Sequence, residues 1–149
     1  LQYSDTDFVL PENLFIIGTM NTADRSIALV DAALRRRFHF HGFFPDQPPI
    51  KGLLGRWLAV HQPEVGWLAE IVDTANELLG ERDLAIGPSH FMKTNLTEPL
   101  IERIWIRSVI PYLEDYFFDD PSRVQEFALS RLRNSHKNIG AKNDDLPAT

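Results

Sequence analysis

Cysteine is absent from the 149 residues. Disulfides and thiolate metal sites are therefore excluded, and thiols say nothing about the redox compartment. No apolar run approaches the roughly 20 residues that a membrane-spanning helix needs. No basic segment followed by an apolar one opens the chain, as an export signal would. Cations are outnumbered, with 15 Lys and Arg against 21 Asp and Glu for a net charge of -6. No overall excess of positive charge draws nucleic acid or an anionic membrane to the whole surface. The expectation is a cytoplasmic protein with no membrane partner. An initiating Met is also missing, and residues 1–13 read as the middle of a longer chain. Internal repeats and low-complexity tracts are absent.

What is present is a chain able to fold. At 44% hydrophobic and 11% aromatic residues it can bury a substantial core, in one domain or two small ones. Leu14-Phe15-Ile16-Ile17 is a short, continuous apolar run with β-branched and aromatic members. That pattern predicts a strand covered on both faces of a parallel sheet. Gly18-Thr19 ends it, and Met20-Asn21-Thr22-Ala23-Asp24-Arg25-Ser26 forms a polar loop. Asp24 or Ser26 can cap a helix in which Ile27, Val30, Ala33 and Leu34 share one face. Arg35-Arg36-Arg37 closes that helix, where the dipole favours cations. Phe38 to Phe43 alternates and predicts a second strand.

Pro45-Asp46-Gln47-Pro48-Pro49 marks a boundary, after which the apolar period becomes helical. Helices are predicted over 50–61 and over 64–79, the second stopped by Gly80. Residues 83–93 are irregular. Thr97 caps a long helix that tolerates Pro99 in its first turn and is kinked or divided at Pro111. Asp120-Pro121 opens a last helix with Val124, Phe127, Ala128 and Leu132 inward, and the chain frays from Asn134. The predicted fold is mainly α. About two strands and one helix occupy 1–45, a helical bundle 46–134 and a flexible tail 135–149. Two strands are too few for a stable sheet alone.

The segment from Leu10 through Asn21-Thr22-Ala23-Asp24-Arg25-Ser26 to Arg37-Phe38 resembles the McrB-type GTPase subunits of modification-dependent (5-methylcytosine) restriction systems, which belong to the AAA+ superfamily. Ile86-Gly87-Pro88-Ser89-His90-Phe91-Met92 and Pro111 to Phe118 resemble the same family. The resemblance implies the C-terminal part of an AAA+ α/β core followed by an α-helical lid. It implies that Asn21 is sensor 1, positioning the attacking water, with Thr22, Asp24 and Arg25 completing the signature. A neutral hydrogen-bonding group suits that role, because phosphoryl transfer is largely positioning and charge stabilisation. It implies that Arg36 and Arg37 are arginine fingers acting in trans, where a planar fork matches phosphate oxygens. Ser89 and His90 fall in the loop near the sensor 2 position, although that loop carries no Arg or Lys.

The implied cofactor is GTP or ATP with Mg2+. The implied partners are a homo-oligomeric ring, expected as a hexamer, a nuclease subunit, and DNA bound through parts outside this chain. No Gly-x-x-x-x-Gly-Lys-Ser/Thr loop and no acidic Walker B strand occur in these residues. This chain alone is therefore expected not to hydrolyse nucleotide.

The residues admit plainer readings. Asn21 to Asp24 also suits a turn and helix cap, or a guanine-reading Asn-Lys-x-Asp lacking its Lys. Three arginines at a helix end also suit solvated dipole partners. His39 and His41 would share a strand face as metal ligands do, but a third ligand is missing and no metal is expected. Trp57, Trp67 and Trp105 read as core or interface aromatics. The alternatives to a GTPase part are an ATP-using AAA+ relative and a helical interaction module without nucleotide chemistry.

Overall fold

The computed structural model describes residues 9–20 and 32–143. The chain divides into two units, 1–38 and 39–149. In the first, the described helix is α1 (Ala32–Arg35). The helices of the second are α2 (Leu53–His61), α3 (Leu68–Leu79), α4 (Glu98–Ile104), α5 (Ile110–Tyr116) and α6 (Leu129–Asn143), joined by 3-10 turns, loops and one π-helical stretch.

The mainly α expectation holds, but the two strands do not form among the described residues. Leu14 to Ile17 joins no strand ladder; the Leu14 N–H closes a turn on the Pro11 carbonyl at 3.2 Å, and Phe15 and Ile17 are 88% and 93% exposed. Phe38 to Phe43 is likewise irregular. A parallel strand satisfies its backbone only through neighbouring strands, and the described residues supply none. The loop from Asn21 and most of the helix predicted after it lie outside the described residues.

In the second unit the breakers decide the helix ends. Ile50 and Lys51 turn back on the Gln47 carbonyl, and Gly52 sits at φ 67. A helix cannot pass through that conformation, so α2 begins at Leu53 and not at Ile50. Gly80 at φ 71 stops α3 as predicted, its N–H bonding to the Asn76 carbonyl. The predicted last helix is two pieces, a 3-10 stretch Pro121–Phe127 and then α6, with Ala128 extended at ψ 128 between them. Asp120 precedes the first piece and accepts a hydrogen bond from the Ser122 hydroxyl. The bundle was expected to end at 134; α6 continues to Asn143.

Pro111 has the most informative effect. In an unbroken α-helix its ring would strike the Arg107 carbonyl, and it has no N–H to offer it. The chain responds with a π-helical stretch, Trp105–Val109, in which the Ile110 N–H reaches the Trp105 carbonyl. The apolar residues anticipate this wider turn. Ile101, Trp105, Val109, Leu113 and Phe117 are all buried and recur at intervals of four. In a regular α-helix each such step drifts by about 40°. The wider turn takes up part of that drift and keeps all five on the core.

The core of this unit draws on every helix in it. Leu58, Leu68, Ile71, Ala75, Phe91, Ile101, Leu113 and Phe127 have no exposed surface. Trp105 is 1% exposed, stacks on Phe91 at 5.9 Å and donates from Nε1 to the Phe127 carbonyl at 2.9 Å. Trp57 and Trp67 pack against this core while staying half-buried. Among the described residues no helix is long and apolar enough to cross a membrane.

Trp105→Phe removes the donor to a buried carbonyl and leaves a small void. The expected cost is about 2–3 kcal/mol, read from the denaturant midpoint. A loss below about 0.5 kcal/mol would remove Trp105 from its central place.

Candidate functional site

The loop between α3 and α4 is held at both ends. Ile86 and Phe91 are buried, at 3% and 0% exposure, and anchor it to the core. The Asn76 side chain clamps Ile86 twice, its Nδ2 donating to the Ile86 carbonyl at 3.1 Å and its Oδ1 accepting from the Ile86 N–H at 2.6 Å. A side-chain amide offers one donor and one acceptor side by side, so it pairs with a backbone unit as a neighbouring strand would. Tyr112 on α5 donates its hydroxyl to the Leu84 carbonyl at 2.8 Å. Burial, with Tyr116 adding to it, pushes the Tyr112 phenol above its ordinary 10.0, so it stays a donor at neutral pH. Between the anchors, the 3-10 turn Pro88–His90 presents Ser89 and His90 to solvent. The loop is a fixed platform with a polar edge.

A cleft of about 340 Å³ opens beside it, walled by the 45–52 turn, the C-terminal half of α3 and the 80–85 segment. Arg56 secures the turn by donating to the Lys51 carbonyl at 2.9 Å and the Pro49 carbonyl at 3.3 Å. Arg82 closes one end, paired with Asp46 at 3.1 Å and lying 4.3 Å over the Phe44 ring. Pro88 borders a smaller adjoining recess of about 80 Å³. The cleft wall carries Asp46, Asp73, Glu77 and Glu81 against Lys51 and Arg82. Partial loss of water raises the Asp73 carboxyl above its ordinary 3.8; repulsion from Glu77 and Glu70 adds to this and Lys51 opposes it. Such a wall accepts hydrogen bonds and repels bare phosphate.

The residues singled out from the sequence fall in separate places. Asn21, Thr22, Asp24 and Arg25 lie outside the described residues. Arg36 and Arg37 are exposed in the turn after α1, which the Arg37 and Phe38 N–H groups close on the Leu34 carbonyl at 3.0 and 3.1 Å. Ser89 and His90 share the platform of the second unit. His39 and His41 are exposed and not on a strand, and no group of three metal-ligating side chains occurs among the described residues. Sequence reasoning missed Asn76 and Tyr112. The available signal was a lone amide facing inward near the end of a strongly apolar helix, where only a paired polar group is tolerated.

A helical unit built on α3, α4 and α5, presenting a clamped loop at its edge, has the form of a lid domain. The family described as "McrB, alpha-helical lid domain" matches residues 66–125, which include this loop. The chain is 36% identical over 154 aligned residues to the Type IV methyl-directed restriction enzyme EcoKMcrB subunit of Escherichia coli (strain K12). That alignment covers 91% of this chain and 33% of that protein, so the chain spans about a third of the relative's length. No solved structure matches. Residues 66–125 therefore match the McrB lid family, and the chain is similar to a McrB subunit over most of its length.

Two measurements probe the site's construction. Asn76→Ala strips Ile86 of both partners and should cost about 1–3 kcal/mol, while Tyr112→Phe should cost about 1 kcal/mol. Faster hydrogen exchange at the Ile86 amide in the first variant would report the freed loop; unchanged exchange would refute the clamp. The second concerns Asp73. The folded protein holds its proton to higher pH than the unfolded chain does, so this group lowers stability as pH rises from 3.8 through the raised value. Asp73→Asn should flatten that stretch of a stability–pH profile and stabilise the fold at neutral pH. An unaltered profile would show that Asp73 is not strained.

Proposed function

We propose that this chain supplies the sensor 1, arginine-finger and lid parts of an AAA+ nucleotide hydrolase that powers DNA restriction together with a nuclease partner. The observation that carries the reading is the lid-family match over residues 66–125. The identity to a restriction-enzyme subunit over 91% of the chain supports it. In this reading the lid closes over a bound nucleotide, and the Ser89–His90 turn lies on the closing edge. Its clamped backbone favours one geometry and lowers the entropy cost of closure.

Asn21 positions the attacking water, with Thr22, Asp24 and Arg25 around it. Arg36 and Arg37 reach the nucleotide of a neighbouring copy in a ring. GTP or ATP with Mg2+ is the cofactor, and the phosphate cradle comes from residues other than these 149, which contain no phosphate loop. GTP is favoured by the family resemblance. Two observations support the reading as an interaction module without nucleotide chemistry: the cleft wall is mainly acidic, and the 87–90 turn has no Arg or Lys.

The test uses a subunit that carries these residues together with a phosphate loop. Arg36→Ala should lower hydrolysis by about 10³-fold or more while leaving nucleotide affinity nearly unchanged. Lost binding with an unchanged rate per bound nucleotide would refute the finger role. Competition between GTP and ATP on the same subunit decides the base.

A further inference from the structure

The helical run from α4 through the π stretch to α5 buries one side and leaves the other uncovered. The wide turn at Trp105–Val109, which keeps the buried residues in line, keeps the outer rows in line as well. One exposed row is Arg103, Arg107, Pro111 and Asp115. Beside it run Glu102, Ile106, Ile110 and Glu114, of which only Ile110 is half-buried. Ile106 is 65% exposed, and Phe118, in the turn after α5, is 70% exposed. Arg103, Arg107, Glu114 and Asp115 take part in none of the ion pairs found among the described residues.

The charges on this face are ordered along it. Arg103 and Arg107 come first, Ile106 and Ile110 lie in the middle, and Glu114, Asp115 and Asp119 come last. Arg123, held 4.5 Å over the Phe117 ring, stands near the acidic end and is outnumbered there. The helix itself gains nothing from this order. Its C-terminal end favours cations and disfavours acids, yet α5 carries Glu114 and Asp115 in its last turn and no cation.

We propose that this face pairs with the same face of a second copy, antiparallel, about a two-fold axis at the level of Val109. A two-fold contact sets residue i against j and j against i. With the axis there, Arg103 of each copy meets Asp115 of the other, and Arg107 meets the Pro111 turn beside Glu114. Ile106 and Ile110 lie on either side of the axis, and Phe118 falls opposite Leu100. Opposite charges meet at both ends while the apolar side chains leave water. A purely basic or purely acidic polypeptide would satisfy one end and be repelled at the other, and DNA would be repelled by the acids. An antiparallel copy carries the reverse order by construction. Arg103 to Asp115 spans about 18 Å. That is a small contact beside specific interfaces, so the expected dissociation constant is on the order of 10–100 µM. The surface shares no residue with the nucleotide site proposed above and holds or fails independently of it.

The test is sedimentation velocity of the complete chain from about 5 to 500 µM, a range that brackets that constant. The expected result is a mass that rises with concentration from monomer to dimer. Ile106→Asp should weaken association about tenfold or more. Arg103→Glu with Arg107→Glu should do the same, and so should Glu114→Arg with Asp115→Arg. Neither charge variant pairs with itself, but an equimolar mixture of the two should dimerise as the wild type does, because each supplies the charges the other has lost. That rescue is specific to antiparallel self-pairing. Val60→Ser, at a 75% exposed position on α2, should change nothing. Circular dichroism checks that each variant keeps its helices, and Ile106→Asp carries the test if a charge variant unfolds. The proposal is overturned if the chain stays monomeric throughout, if the variants associate as the wild type does, if the mixture stays monomeric, or if Val60→Ser weakens association equally.

Discussion

The hydrogen bond from the Trp105 indole to the Phe127 carbonyl is the constraint on which the helical unit depends. It joins two segments 22 residues apart, and it sits where neither is regular. Trp105 opens the π stretch, and Phe127 ends the 3-10 stretch before Ala128. A buried carbonyl at a helix break needs a donor, since burying it unpaired costs about 1–3 kcal/mol. The indole N–H supplies that donor, while its ring stacks on Phe91. Phe91 in turn anchors one end of the clamped loop. One residue thereby links the proline-driven break, the turn into α6 and the platform that carries Ser89 and His90.

That platform shows how a lid can present polar groups without being floppy. Loops generally lose order because their backbone groups are solvated by water. Here Asn76 and Tyr112 take over Ile86 and Leu84 from water, so the turn between the anchors inherits the rigidity of α3 and α5. Charge is arranged just as locally. Carboxylates gather along the cleft beside α3, and Arg133 and His136 of α6 pair with Glu98 and Glu70.

The legibility of this fold varied with the kind of signal. Gly80 and the apolar faces of α3 and α4 act through local backbone and periodicity rules, and they stand where the sequence placed them; Thr97 holds the N-cap position of α4, but its side chain makes no capping hydrogen bond. The strand over Leu14 to Ile17 was a reading of composition, and strands also need partners that composition cannot provide. The π turn was legible only in part. Pro111 announced an interruption, but the five apolar positions at intervals of four, which identify its form, read superficially as an ordinary helix. In the site, Ser89 and His90 could be picked out by resemblance. Asn76 could not, because its role is a pairing with Ile86 ten residues away, across a stop and a turn.

By itself the sequence determined the helical class of the second unit, its main breakpoints and its resemblance to the McrB-type subunits. These depend on period, on glycine and proline geometry, and on motif spacing, all of which are local along the chain. Only the tertiary structure decided which backbone groups the side chains of Asn76, Tyr112 and Trp105 would satisfy, and that Arg133 and His136 of α6 turn inward to Glu98 and Glu70. Those outcomes belong to pairs of residues far apart in sequence. A hydrogen bond or an ion pair exists only once packing has brought both partners to one place and removed the water between them.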